Sequence, residues 1–423
     1  RPRGTGGCRA KGMSSMEVDG EKKGEKKDGV VLKKIKIDDN PENEGAFMKL
    51  SAHRFRLTSP KSSKESKAKD WEEFMVGVQR FNAVAVYEAV CKEIGNAPDA
   101  AILKKMNAEI AAKIAEMDAA IAEAKDLEGD SEVREGMMAK AQILARTDSK
   151  EVAVKAYAEA EALPKTTSGQ RLDIELNLIR IGMFWSDIPL VDKHVKAAQI
   201  LVDKGGDWER RNRLKVYEAT YLLSIRSFKK AADLFLASIS TFTAVELYDY
   251  KQFVFYMVIS ATVALDRKVV RESVIHAPEI LAVVDDAPAI KDMMNSLFHC
   301  NYADLFKALV DVVAQLHLDQ YMAPHAKFFL RQARVVAYTQ YLESYHTVSM
   351  ASMAGTFGIS VTFLDSELAD LVACGRLSCK VDKVKGVVCS NRPDSKNALY
   401  QTTIKQGDAL LNRIQKLSRV ITI

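Results

Sequence analysis

One spacing recurs along this chain and limits what it can fold into. Ala141, Leu144, Ala153, Tyr157 and Ala160 are followed 78 residues later by Ala219, Leu222, Ala231, Phe235 and Ser238, with every interval preserved. Between them stand Gly182, Trp185, Ala197 and Leu201, which read as a third version with three extra residues in its turn. The unit therefore returns about every 39 residues. A small side chain on one helix lets a second helix approach, and a large one fills the space between them. The spacing predicts three helical hairpins stacked in series, each burying its apolar face on its neighbours.

Small-then-large packing at this period resembles the tetratricopeptide pattern, so a right-handed α-solenoid is expected over residues 70–226. Leu103, Met106, Ile110, Met117 and Ile121 give an amphipathic helix over 102–127, broken at Gly129 and capped again by Asp130 or Ser131. Helical patterning continues through 243–346. A helix around 344–356 and a second from Ser360 to Cys374 follow, the latter ended by Gly375. Leu377, Cys379 and Val381 then alternate with polar residues, Lys385-Gly386 turns the chain, and Val387-Val388-Cys389 returns it as a β-hairpin. Helix, helix, hairpin is the order of a winged helix, here over 341–395. Residues 396–423 are expected as a final helix. Its Leu410, Leu411, Ile414, Leu417, Val420 and Ile421 spread over more than one stripe. A helix apolar on two faces needs to be surrounded.

The net charge of +5 is uneven. Residues 1–69 hold 18 Lys and Arg against 10 Asp and Glu, so the other 354 residues carry a net −3. The first 69 residues are rich in Gly, Lys, Ser and Glu and are expected to be a disordered, solvated basic tail. No stretch offers the roughly 18 apolar residues of a membrane span, and no apolar segment follows the basic start as in a secretory signal. Six scattered cysteines without a Cys-x-x-Cys pair suit a reducing compartment, the cytoplasm or nucleus.

Motifs for chemistry are missing. There is no phosphate-binding Gly-x-x-x-x-Gly-Lys-Ser/Thr loop. The seven histidines form neither His-Glu-x-x-His nor His-x-His, so no metal or other cofactor is expected. The second helix of the winged helix carries Asp365, Glu367 and Asp370, and phosphates would repel such a face. Lys380, Lys383 and Lys385 of the wing are the remaining argument for nucleic acid. Arg210, Arg211, Arg213 and Lys215, behind Asp207 as a helix cap, read equally as a docking face for an acidic partner and as a solvated face.

Several blocks are distinctive: Gly205-Gly206-Asp207-Trp208-Glu209-Arg210-Arg211-Asn212-Arg213, Tyr248-Asp249-Tyr250-Lys251, Ala323-Pro324-His325, Asn391-Arg392-Pro393-Asp394-Ser395-Lys396-Asn397 and Gln415-Lys416-Leu417-Ser418-Arg419-Val420-Ile421. Over residues 70–423 the chain resembles the PCI-domain lid subunits of the 26S proteasome. The resemblance implies a PCI domain over 227–395, with a helical part over 227–340 ahead of the winged helix. It further implies a non-catalytic scaffold present once per lid in a hetero-oligomer. Its implied partners are other PCI subunits, the lid deubiquitinase and neighbouring ATPases. Winged helices of such subunits align edge to edge and their terminal helices gather in a bundle. The implied interface residues are Cys379, Val381, Val387 and Val388 with Leu410, Leu411, Ile414, Leu417 and Val420. Subunits of the COP9 signalosome and of translation initiation factors share this architecture and are the alternatives.

Overall fold

The computed structural model describes residues 41–126, 130–164, 166–391 and 395–421. The chain opens with α1 (Pro41–Thr58), α2 (Lys64–Phe81), α3 (Val84–Ile94) and the long α4 (Ala100–Asp126). Three hairpins follow. They are α5 (Asp130–Thr147) with α6 (Lys150–Glu161), α7 (Ser168–Phe184) with α8 (Ile188–Asp203), and α9 (Trp208–Ser224) with α10 (Phe228–Ser238). Next come α11 (Tyr250–Ala264), α12 (Arg267–Val270), α13 (Pro278–Val284), α14 (Pro288–Phe298), α15 (Tyr302–Leu316) and α16 (Ala326–Ser344). The winged helix comprises β1 (Thr347–Ser349), α17 (Met350–Phe357), α18 (Val361–Ala373), β2 (Cys379–Asp382) and β3 (Val387–Ser390). α19 (Ser395–Ile421) ends the described chain.

The three hairpins form where the spacing places them. Ala141, Ala153, Tyr157 and Ala160 are all buried, as are Ala219, Ala231, Phe235 and Ser238. The middle hairpin has a different register from the one expected. Its turn matches the third: Ser186 and Arg226 both adopt positive φ (57° and 65°). The amides of Asp187 and Ser227 bond back to the carbonyls of Gly182 and Leu222. Ile179, Val191, Val195 and Ala198 therefore occupy the buried repeat positions, at the same intervals as in the other two units and with no extra turn residues. Gly182 corresponds to Leu144 and Leu222, and Ala197 and Leu201 are only half-buried.

Two other expectations are corrected. Residues 1–40 of the expected tail lie outside the described residues, but 41–69 are folded: they form α1 and the start of α2. Phe47, Met48 and Leu50 of α1 are buried. Phe47 stacks on Phe184 of α7 at 4.8 Å and meets Phe81 of α2 edge-on. On its other side α1 reaches the later helices. Lys49 pairs with Asp249 at 3.1 Å, and Ser51 hydrogen-bonds Gln320 at 2.7 Å. A Cβ on Gly45 would stand 2.7 Å from the carbonyl oxygen of Val245, so only glycine permits this approach. The second correction concerns the winged helix. Residues 347–349 are not helical but pair as β1 with β3, giving a three-stranded antiparallel sheet in the order β1-β3-β2. Gly375 and Gly386 both take positive φ, as a helix stop and a hairpin turn require.

One core runs from Phe47 to Val388, with a satellite around Ala141, Tyr157, Ile174 and Ile181. It crosses the expected domain boundary at 226–227, which falls inside the turn of the third hairpin.

Candidate assembly surfaces

α19 is the outlying element. It is 27 residues long, and none of its side chains with described burial is buried. Leu399, Tyr400, Ile404, Leu410, Leu411, Ile414, Leu417, Val420 and Ile421 are each more than half exposed. At 100° per residue these side chains, Val420 excepted, fall within one arc of about 140° centred near Ile414. The expected two-faced pattern is thus one broad stripe. Lys405, Asn412 and Lys416 occupy the opposite side. Elsewhere in this chain such a stripe is covered: Leu305, Leu309, Val312 and Leu316 of α15 lie in the core. An arc this wide suits a helix that packs against two or more others rather than one.

The hairpin contributes less than expected. Val388 and Cys379 are buried within this chain's own core, so their side chains are not free to meet a partner. Sheet alternation explains it: Cys379 pairs with Ser390, and Val381 with Val388, so residues 379, 381 and 388 turn toward α18 and its neighbours. Val381 and Val387 are half-buried. What remains outward is the outer edge of β2 with Lys380, and the wing tip, where Val384 is 98% exposed.

α18 is less acidic outwardly than its sequence reads. Glu367 is turned inward, paired with Arg334 at 2.8 Å and accepting the Tyr338 hydroxyl at 2.7 Å. Asp365 holds Lys383 of the wing at 2.8 Å. Only Asp370 of the three faces solvent unpaired by any such contact.

The basic cluster on α9 splits the same way. Arg210 grips Asp173 of α7 through two bonds of 2.8 Å and also pairs with Asp207. The Asp173 hydrogen bonds, opposed by partial burial, push its guanidinium pKa upward. Arg213 bonds Glu209 at 2.8 Å and lies 3.2 Å from the buried Glu246, which also accepts the Tyr217 hydroxyl at 3.0 Å. Burial, then the Glu246 charge, push the Tyr217 pKa far up. These two arginines fasten α9 to its own chain, lining a cavity of about 320 Å³. Arg211 alone of the three points outward.

Two histidines sit beside carboxylates. His194 bonds Glu175 at 2.7 Å inside the α7–α8 hairpin. His53 lies 3.1 Å from Asp70 and 3.6 Å from Glu73, but Asp70 also accepts from Arg56 at 3.1 Å. Arg56 thus shares Asp70 within the one group of potential metal ligands found among the described residues, His53, Asp70 and Glu73. No helix among the described residues is long and apolar enough to cross a membrane.

Residues 99–273 match the family model for 26S proteasome subunit RPN7, and 309–392 match the PCI domain. Residues 400–421, which lie within α19, match a separate model for the C-terminal helix of 26S proteasome regulatory subunit RPN7/PSMD6. The chain is 43% identical over 374 residues to 26S proteasome non-ATPase regulatory subunit 6 of Oryza sativa, spanning 88% of this chain and 96% of the relative. This chain belongs to the RPN7 family. The Arabidopsis thaliana homologue is 43% identical, over 87% of this chain and 95% of its own length. The RPN7 regulatory subunit of Saccharomyces cerevisiae is 36% identical over 71% and 70%. That α19 carries a family signature of its own, although it packs on nothing here that buries it, marks it as the surface to explain.

Proposed function

We propose that this chain is a non-catalytic scaffold subunit of the 26S proteasome lid, present once per lid in the cytoplasm and nucleus. It supports ubiquitin-dependent degradation by holding other PCI subunits, the lid deubiquitinase and neighbouring ATPases in place. The observation that carries the reading is α19, whose apolar arc is exposed end to end and is covered only if partner helices surround it. The free β2 edge and the wing tip at Val384 are the second contact, suited to strand-edge or wing-to-wing alignment with another winged helix. Arg211 belongs to this reading as an exposed side chain, and Val381 and Val387 as half-buried ones of the hairpin.

The test is native mass spectrometry of complexes isolated through a tag on the full chain and on a chain ended after Asn397. The full chain is expected with one copy each of PCI subunits, ATPases and a deubiquitinase, and the shortened chain folded but alone. Entry of the shortened chain at normal stoichiometry would remove α19 from the assembly role. Recovery of an eight- or nine-member complex without ATPases would indicate a signalosome, and RNA-bearing particles a translation factor.

A further inference from the structure

Where α1, α2, α4 and α5 come together they leave a cavity of about 230 Å³. Its charged side chains are Arg80 of α2, Lys113 of α4 and Arg146 of α5, and no acidic residue lines it. In the cavity between α7 and α9, by contrast, Arg210 meets Asp173 directly. Here the compensation falls short. Arg80 Nη2 donates to the neutral Asn43 at 2.7 Å, and neither Arg80 nor Lys113 pairs with a carboxylate among the described residues. Arg146 reaches Glu44 at 2.5 Å, but Glu44 is shared with Arg180 at 3.7 Å. Glu109 of α4 lies outside the lining and accepts from the Asn82 side chain at 3.1 Å.

Two of the cations are oriented in advance. The central carbons of Arg80 and Arg146 stand 5.2 Å and 5.9 Å from the centroid of Phe81, which Phe47 meets edge-on. Stacking fixes a guanidinium without neutralising it and leaves N–H groups for an oxyanion. We propose that this cavity binds a small anion of the pyrophosphate class, carrying two or more phosphate groups, held by Arg80 and Lys113 with Arg146 between α1 and α5. Three positive groups against one divided carboxylate call for more than one negative charge in a small volume. Linked phosphates supply that charge together with several acceptor oxygens. A nucleotide's base is not provided for: Phe81, the single aromatic residue of the lining, is already met by both guanidinium groups and by Phe47. Because the three cations come from α2, α4 and α5, the bound anion would tie the N-terminal helices to the first hairpin.

Neither α19 nor the wing lines this cavity, so it is tested on the isolated full chain, whatever complex that chain joins. The probe is inorganic pyrophosphate, titrated calorimetrically at low, constant ionic strength without divalent cations. One site per chain is expected, weakening as salt is added and raising the melting temperature at saturation. The double variant Arg80→Gln/Lys113→Gln, at two exposed positions, should bind about tenfold more weakly. Lys113→Arg should keep the wild-type affinity, and so should Lys105→Gln, on the same helix but outside the cavity. Equal affinity in wild type and the double variant would overturn the proposal. So would an equal loss in Lys105→Gln, tighter binding of hexaglutamate than of pyrophosphate, or no saturable binding at all.

Discussion

Gly182 stands where the flanking hairpins carry Leu144 and Leu222, yet leucine does not fit there. A Cβ at 182 would lie 2.7 Å from Cγ2 of Val191, a buried β-branched side chain with little freedom to turn away. Gly182→Leu is therefore expected to destabilise the protein by about 1–3 kcal/mol, measured by urea unfolding, despite adding an apolar side chain. A leucine variant as stable as the parent would show that α7 and α8 can separate at no cost. The same residue explains a misreading of the sequence. Small residues suggested that Gly182 was the repeat's contact position, and Ala197 and Leu201 then completed a plausible but shifted unit. Of the true positions, Ile179 and Val191 are larger than their alanine counterparts in the other hairpins, and Val195 is smaller than Tyr157 and Phe235. α7 is buried on nearly all sides, so its sequence shows no polar face from which to read the phase. Arg210 and Arg213 were ambiguous for another reason. Their local partners Asp207 and Glu209 would suit a solvated face equally well, and the carboxylates that tie them to the rest of the chain, Asp173 and Glu246, lie 37 and 33 positions away in sequence.

At the scale of elements, hairpins with caps and turns were legible and short or diluted elements were not. α8 shows how a cap works in this fold. Asp187 accepts the Leu190 amide at 3.3 Å at its N-terminus, and the same carboxylate receives Lys150 of α6 at 2.6 Å. The Lys150 hydrogen bond is the main cause that lowers the Asp187 pKa below its ordinary 3.8. The contribution is thus held in full above that pH, decreases below it, and is gone once the pH falls through the folded value. Asp187→Ala should cost about 1 kcal/mol near neutrality, and the gap to the parent should close in thermal melts taken below pH 3.8. A gap independent of pH would mean that the carboxylate's charge contributes nothing. By contrast, β1 has three residues and finds its partner β3 some forty positions later, too short and too remote for alternation to announce it. α1 is lost among charges: Phe47, Met48 and Leu50 are too few to outweigh its lysine, arginines and glutamates, and their burial depends on helices far along the chain.

Across the whole molecule α1 does more than add a layer. It pairs Glu44 with Arg146 and Arg180 of the first two hairpins and joins Lys49 and Ser51 to residues 249 and 320. One helix therefore touches both the early repeats and the helices ahead of the winged helix. Phe47→Ala removes the ring stacked on Phe184 and should cost about 3–5 kcal/mol. Because the core is continuous, the loss should appear as a single cooperative transition at lower denaturant rather than as a separate early step. Two resolved transitions would show that the N-terminal layer and the remainder unfold independently.

The bare arc of α19 has a consequence for the chain before it meets its partners. A row of leucine, isoleucine and valine side chains in water is adhesive, and it attracts any similar surface, including a second copy of itself. Solubility then depends on how the supply of this chain compares with that of the chains that cover it. Made in excess, the surplus is drawn toward clumping or toward the cell's disposal machinery. Matched production of all members would matter to this protein more than its own folding stability does.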